Sequence, residues 1–439
     1  MFSIRLLIVG VFALLLCCCG QSAFAVDNGV SKLELPDAAA VGMGGAYTGD
    51  AGRPSAVYYN PAGITQMDTA EVSAGITFLQ PQIEYKPITG NSIEMNRDDY
   101  IFPNVYVTTP VYKDKLFVGL GENSNFGLGN DWSGKGPMSF TDLYMSKDSI
   151  SNQDYMLVGA YKLNDQLSFG VGAIDDQSTV EDYKLIDQHD GTFANALFKA
   201  DDNAWGYTLA TMYKLNDQNQ FGLTYKSPIQ HTYTGDVYLQ GMDTTLGLLQ
   251  AFGGNTSATT KAVTKLTLPQ SVTLGYSVKP INKLKINFDL EWTDWSHTKQ
   301  LTTTFPNATP TQQALLGFDN PTQPRDWTSV WAESIGAEYS LTDTFRVRGG
   351  YAHHQSPVPE LNLDTEFFDS DSNAYTVGFG YDITKNLTID IGYVAVFCVT
   401  RNIVNNVGAE LNPLGDSVNL SGKYREFINI GTASLTYKF

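Results

Sequence analysis

Few side chains in this sequence are of types and spacings that could do chemistry. Arg346 and Arg348 fall two residues apart, and Lys285 interrupts an apolar stretch. A guanidinium can take a carboxylate through two parallel hydrogen bonds, so these three cations are the candidates for holding an acidic headgroup. They can equally pair with acids of the chain, such as Asp289 and Glu291. His353 and His354 are adjacent, which on a strand turns them to opposite faces, and with five histidines in all no metal is expected. Asp364, Glu366, Asp369 and Asp371 could surround calcium, but a solvated acidic loop is the expectation. His231, His297 and His353 have no nucleophile motif beside them, so no catalytic residue is named and the chain does not read as an enzyme. Gly42-Met43-Gly44-Gly45 lacks the preceding strand and following lysine of a phosphate loop. No cofactor is expected.

A second group is apolar. Phe126, Leu128, Trp132, Met138 and Phe140 crowd into one short segment. Exposed apolar clusters often mark binding surfaces, so these five form a candidate external groove for a hydrophobic ligand; the bland alternative is a small loop core. Trp292 and Trp295 read as part of an interfacial aromatic girdle.

The elements that must position these residues are strands. Leu284, Ile286, Phe288, Leu290 and Trp292 share one face, while Lys285, Asn287, Asp289 and Glu291 share the other. The same rhythm runs through Tyr375, Val377, Phe379 and Tyr381, and through Leu387, Ile389, Ile391 and Tyr393. Strands are expected near 70–85, 100–112, 114–125, 151–163, 166–180, 204–215, 219–239, 260–279, 283–298, 326–341, 344–355, 372–383, 386–400 and 422–439. That is an all-β chain of fourteen antiparallel strands. Short turns fall at Lys113, Asn164-Asp165, Asn216-Asp217-Gln218, Pro280-Ile281-Asn282, Thr342-Asp343 and Thr384-Lys385, and every other connection is longer. Short turns on one side and long loops on the other are the pattern of a transmembrane β-barrel. A final strand that ends on Phe439 suits closure of the barrel's edge.

Composition bounds the rest. There are 28 basic and 46 acidic residues, a net charge of −18, which disfavours nucleic acid as a partner. No unbroken apolar stretch after residue 25 is long enough for a helical span. Residues 1–25 read as a signal peptide: Arg5, an apolar run from Leu6 to Leu16, then Ala23-Phe24-Ala25. Lipidation in Cys17-Cys18-Cys19 is the less favoured alternative. Cleavage leaves Cys398 as the only cysteine, so no internal disulfide forms. Residues 26–69 do not alternate, and they are small-residue rich around Gly42, Gly44 and Gly45, with a turn at Asn60-Pro61. A segment of this kind can pack inside the lumen as a plug, ahead of a barrel spanning 70–439.

In order along the chain, Ala39 to Asp50, Tyr59-Asn60-Pro61-Ala62, Ser124-Asn125-Phe126-Gly127-Leu128, Asp289-Leu290-Glu291-Trp292, Gln355-Ser356-Pro357-Val358-Pro359 and Leu435-Thr436-Tyr437-Lys438-Phe439 resemble the pattern of FadL-type outer-membrane transporters. That resemblance implies a fourteen-stranded barrel plugged by a small N-terminal hatch in the bacterial outer membrane, acting as a monomer. It also implies passive uptake of hydrophobic compounds: long-chain fatty acids first, aromatic or aliphatic hydrocarbons as the alternative, and a general porin as the lesser one. External loops would capture the ligand beyond the lipopolysaccharide, an internal pocket gated by the hatch would hold it, and a kink in the third strand would release it sideways into lipid. Asn125, Phe126 and Gly127 match that kink, with Gly127 expected to permit the bend. Burial of a hydrocarbon chain contributes about 0.8 kcal/mol per methylene, so few polar contacts are needed. The acidic run from Asp175 to Asp182 in the fifth strand disfavours a carboxylate there and keeps the uncharged ligand open.

Overall fold

A computed structural model describes residues 36–439 except 98, 113, 135–145, 188–191, 243–252, 311, 313–321 and 406–419. The expected signal peptide therefore lies outside the described residues. Fourteen strands, each antiparallel to its neighbours, close on themselves. β1 is Glu71–Pro87 and β2 is Tyr100–Tyr112. β3 runs over Leu116–Asn123 and resumes at Gly127–Asp131. β4 (Lys147–Lys162), β5 (Leu167–Asp187) and β6 (Phe193–Lys214) are long. β7 comprises Asn219–Lys226 and Ile229–Gln240, and β8 comprises Ser257–Leu268 and Gln270–Ile281. The wall continues with β9 (Leu284–Asp294), β10 (Val330–Ser340) and β11 (Phe345–His354). β12 (Ser372–Asp382), β13 (Leu387–Cys398) and β14 (Gly422–Lys438) complete it. β14 pairs with β1 from Glu71↔Lys438 to Pro87↔Gly422, and Phe439 N donates to Ala70 O at 2.9 Å. No sheet edge is left along that seam.

Turn chemistry sets the hairpins. In the turn after β4, Asn164 Oδ1 accepts from the N–H groups of Gln166 and Leu167, both at 2.9 Å; Asn216 does the same for Gln218 and Asn219 after β6. These side chains replace backbone acceptors that a tight turn cannot supply.

Exposure is inverted relative to a water-soluble protein. Phe288 is 41% and Leu290 39% exposed, whereas Asn287 is buried completely and Glu291 is 6% exposed. Apolar side chains point outward and polar ones into the lumen, the arrangement a barrel adopts in lipid.

Three expectations change. The fifth and sixth strands outrun their expected bounds of 166–180 and 204–215: β5 continues to Asp187 and β6 starts at Phe193, with continuous pairing from Leu167↔Tyr213 to Asp187↔Phe193. Beyond the apolar belt both faces of a strand can be polar, so apolar alternation fades there while the ladder persists. Asp176 and Asp182 turn inward while Asp175 and Glu181 turn outward. Trp295 does not belong to a girdle, because β9 ends at Asp294 and a single 3-10 turn folds Trp295 inward to 3% exposure. Finally, Asp364 and Glu366 are buried rather than solvated.

Inside the wall lies the segment from Asp37 to Met67. It contains helix α1 (Ala38–Val41), helix α2 (Ala56–Tyr59) and a 3-10 turn over Pro61–Gln66. Almost every residue from Pro36 to Thr65 is buried.

Candidate functional site

Among the described residues, the wall is broken between β2 and β3, facing the apolar belt. The β2–β3 ladder runs from Tyr112↔Leu116 to Val105↔Glu122 and stops. β2 continues to Tyr100, still paired with β1 at Leu79↔Tyr100. On its other side, β3 pairs with β4 to Asn123↔Asp154 and resumes at Gly127↔Ser151. Ser124, Asn125 and Phe126 thus stand where β4 has only Asn152 and Gln153. One extra residue makes a bulge and bends the strand. Outward-facing Phe78 and Ile101, which are register partners, flank the break at 50% and 45% exposure. The expected kink residues lie here, but the bend comes from the extra residue; Gly127 is not among the described glycines with positive φ.

Just inside the break an aromatic chain begins. Phe126 meets Trp295 edge to face at 5.9 Å, Trp295 meets Trp327 at 5.2 Å, and Trp327 meets Phe367 at 5.4 Å. Of the five groove candidates, Phe126 is half-buried in this cluster. Trp132 is fully buried, with Nε1 donating to Thr365 O at 3.3 Å. Leu128 contributes backbone to the β3–β4 ladder opposite Ile150. The Leu128 side chain, Met138 and Phe140 lie outside the described residues.

Two of the three cations, Arg348 and Lys285, are brought into one chain of charges with the inserted segment. Arg348 donates to Glu338 through Nε and to Asp390 through Nη1, each at 2.7 Å. Lys285 Nζ lies 2.7 Å from Asp50 and 3.7 Å from Glu338. Arg53 pairs with the same Asp390 and with Asp37 at 3.3 Å. Signs alternate along Asp37, Arg53, Asp390, Arg348, Glu338, Lys285 and Asp50. Arg346 stands aside, forked onto Asp382 at 2.8 and 2.6 Å. The partners are therefore not Asp289 and Glu291. Asp289 Oδ2 instead accepts from the N–H groups of Tyr47 and Thr48 at 2.9 and 2.8 Å.

Glycine lines the seat of the inserted segment. A Cβ on Gly222 would lie 2.1 Å from Thr48 O, and one on Gly275 would lie 2.2 Å from Gly49 N. Backbone meets backbone there, which only glycine allows. Within the segment, Gly44 and Gly45 take positive φ of 70° and 78° to reverse the chain after α1. Gly42 abuts Gly378, and its carbonyl accepts from Thr376 Oγ1 at 3.0 Å. Asn60 caps the Pro61–Gln66 turn by accepting from Ala62 N, and it donates to Thr48 O at 3.0 Å and Thr211 O at 3.2 Å. Lys226 Nζ rests 3.3 Å from the Tyr58 ring centroid, a cation–π contact from wall to segment.

Arg325 was not singled out from the sequence. It is fully buried, 2.6 Å from Asp364 and 2.9 Å from Glu366, with its guanidinium over Phe367. Burial pushes the Glu366 carboxyl up to about 7, Asp364 adds to the shift, and Arg325 opposes it. An arginine among Pro, Gln and Asp in a long connection carries no periodic signal.

Residues 22–439 match the family model described as outer membrane protein transport protein (OMPP1/FadL/TodX). The chain is 25% identical to the long-chain fatty acid transport protein of Escherichia coli strain K12 over 411 residues, covering 82% of this chain and 86% of that protein. It is also 25% identical to outer membrane protein P1 of Haemophilus influenzae strain Rd over 414 residues, 83% and 85% of the two chains. Among solved structures, a Pseudomonas aeruginosa FadL homologue superposes with a TM-score of 0.78 at 19% identity, covering 95% of this chain and all of that one. The P. putida toluene transporter TodX superposes with a TM-score of 0.69 at 16% identity, covering 93% and 99%. An inside-out barrel of fourteen strands, filled by its own N-terminal segment and matched by the family model over nearly its whole length, belongs to the OMPP1/FadL/TodX family of outer-membrane transport proteins.

Proposed function

We propose that this protein admits hydrophobic compounds through the bacterial outer membrane, that residues 26–69 act as its hatch, and that the break in β3 is the lateral exit into lipid. The observation that carries this reading is the break itself. It joins a buried aromatic chain of Phe126, Trp295, Trp327 and Phe367 to the apolar outer face at Phe78 and Ile101. A lumen packed with the Asp37–Met67 segment suits a sideways path better than straight flow of water and small solutes, the expectation for a porin. The external loops take the capture role, with Phe126, Leu128, Met138 and Phe140 as the apolar residues that meet the ligand and Trp132, fully buried, as part of the packing. Transport needs no chemical step, so none of these residues is assigned catalysis, and a monomer suffices.

Long-chain fatty acids are the first substrate class, because the curated relatives at 25% identity carry that description. Hydrocarbons are the second, favoured by a specific observation. Arg346, Arg348 and Lys285 are each already matched by acids, so a carboxylate would have to displace Asp382, Asp390, Glu338 or Asp50. Uptake of labelled oleate and labelled toluene by cells lacking their own transporter, with and without this gene, decides. Faster oleate uptake supports the first class, and faster toluene uptake alone supports the second. No acceleration of either, with protein correctly inserted, discards both.

A further inference from the structure

On the lumen face two carboxylates stand directly opposite each other. Asp154 of β4 and Asp176 of β5 are register partners, each 1% exposed. Like charges so placed destabilise a sheet unless donors or a proton intervene. The donors here come from the break in β3. Asn125 Nδ2 donates to Asp154 Oδ2, and Asn125 Oδ1 accepts from Asn123 Nδ2 at 2.7 Å. Phe126 N donates to Asn152 Oδ1 at 3.0 Å, and Asn152 Nδ2 donates to Asp176 Oδ2 at 2.7 Å. Both ends of the bulge thus hang on the same pair of acids.

His231 extends the chain from β7 and is fully buried. Its Nε2 lies 3.2 Å from Asp176 Oδ1, and its Nδ1 lies 3.1 Å from Asp202 Oδ2 of β6. Asp202 also accepts from Thr232 N at 3.0 Å. Tyr233 stacks on the imidazole at 5.3 Å and shares a 2.8 Å hydrogen bond with Ser178 of β5. Lys226 of β7, over the Tyr58 ring, is a cation whose charge acts on Asp154. His231 itself occupies a second interruption of the wall. The β6–β7 ladder stops at Thr208↔Lys226 and resumes only at Asp201↔Thr234, bracketing Pro228, which has no N–H to give. One buried polar chain therefore joins the kink of β7 to the bulge of β3.

We propose that Asp154 and Asp176, backed by His231, are positioning residues that hold the β3 bulge in place through Asn125 and Asn152, so that the bulge loosens when this cluster takes up a proton. The inference rests on the lateral-exit reading only for its consequence in transport. Amide donors bind a charged carboxylate about twice as strongly as a neutral one. A proton added to the pair neutralises one of the two carboxylates, so the amide that binds it loses its charged acceptor and the bulge gains freedom.

Hydrogen exchange at the Phe126 amide, read in the intact protein in lipid nanodiscs and corrected for intrinsic rate, tests this without any substitution. Protection at Phe126 should fall roughly fivefold between about pH 7.5 and about pH 5, while Phe379 of β12 stays unchanged. In Asp154→Asn and Asp176→Asn the difference between the two pH values should vanish. Unchanged Phe126 protection in the wild type, or the same pH response in both variants, overturns the proposal. Uptake of labelled toluene, which carries no titrating group, should rise at acid pH in the wild type and lose that rise in the variants; a rise retained in both variants counts against it. The lateral exit is judged separately. Deletion of Asn125, which removes the extra residue and with it the bulge, should slow uptake of toluene and oleate at both pH values, and undiminished uptake would discard the exit while the exchange result still decides whether the acids position the bulge.

Discussion

At the scale of single residues, the long-loop end of the lumen is held by a buried charge cluster rather than by apolar packing alone. Arg325 has no exposed surface, and its charge is compensated by Asp364 and Glu366, with Gln323 Oε1 accepting at 2.8 Å and the face of Phe367 beside it. Breaking such a cluster by removing one partner is costly, on the order of 3–5 kcal/mol, because the others remain buried and uncompensated. Glu366 makes the cluster sensitive to pH. Its carboxyl ionises near 4.5 in an unfolded chain and near about 7 here, so the folded loop holds the proton more tightly. Its stabilisation of the loop is therefore complete below about pH 4.5 and lost as the pH rises through about 7. Limited proteolysis of the segment 355–371 should accelerate over that window in the wild type. In Glu366→Gln, which stays neutral, the rate should be flat once protease activity is normalised; an unaltered slope would show that another group controls it.

At the scale of elements, β3 and the hatch seat are set by local geometry that one atom can disturb. The seat depends on lumen glycines whose neighbours are main-chain atoms and cannot move aside. Gly275→Val places a branched side chain where Gly49 N already lies, 2.2 Å from the first added carbon. The hatch and the wall cannot both keep their positions, and the wall has its full ladder from β7 to β9 to hold it. The hatch should therefore shift. Cells making this variant should become sensitive to a large hydrophilic antibiotic that the wild type excludes, and purified protein should show frequent channel openings. Heat-modifiable migration on gels checks that the barrel has formed. An intact barrel with unchanged exclusion would mean that the seat tolerates the side chain.

At the scale of the whole molecule, a barrel of fourteen strands encloses more space than wall side chains fill, and the inserted segment occupies part of the remainder. It is tied down by the charge chain from Asp37 to Asp50, by Asp289, and by Lys226 on Tyr58. Deletion of residues 26–69 should leave the strands able to close, since their ladders join wall to wall, but should convert the protein into an open, water-filled pore. Planar-bilayer conductance checks this: a steady large current is expected from the deleted form and little from the full chain. Equal conductance from both would mean that residues 26–69 do not close the lumen.

Much of this architecture was legible in the sequence because it depends on short-range rules. Alternation has a period of two residues, so Leu284 to Trp292 declares its faces without reference to any other strand. Asn164 and Asn216 set their turns through bonds to residues two and three positions on. Strand number and the closing strand follow from such features and are present in the fold, as are the turns at Asn164, Asn216, Thr342 and Thr384; Lys113 lies outside the described residues, and β8 runs on through Pro280 and Ile281, so that turn falls at Asn282-Lys283. Failures came where polarity and pairing part company: the acidic stretch of β5 keeps its ladder beyond the apolar belt, and Trp295 turns inward after a single 3-10 turn. The bulge of β3 was placed by resemblance, but its cause, one residue too many against β4, is a matter of register between two strands. What only the tertiary structure decided are the bonds between distant positions. Tyr47 finds Asp289, Arg348 finds Asp390, and Arg53 finds the same Asp390. Closing the barrel brings these groups together, and until it does no local pattern distinguishes a cation that awaits a ligand from one that is already paired.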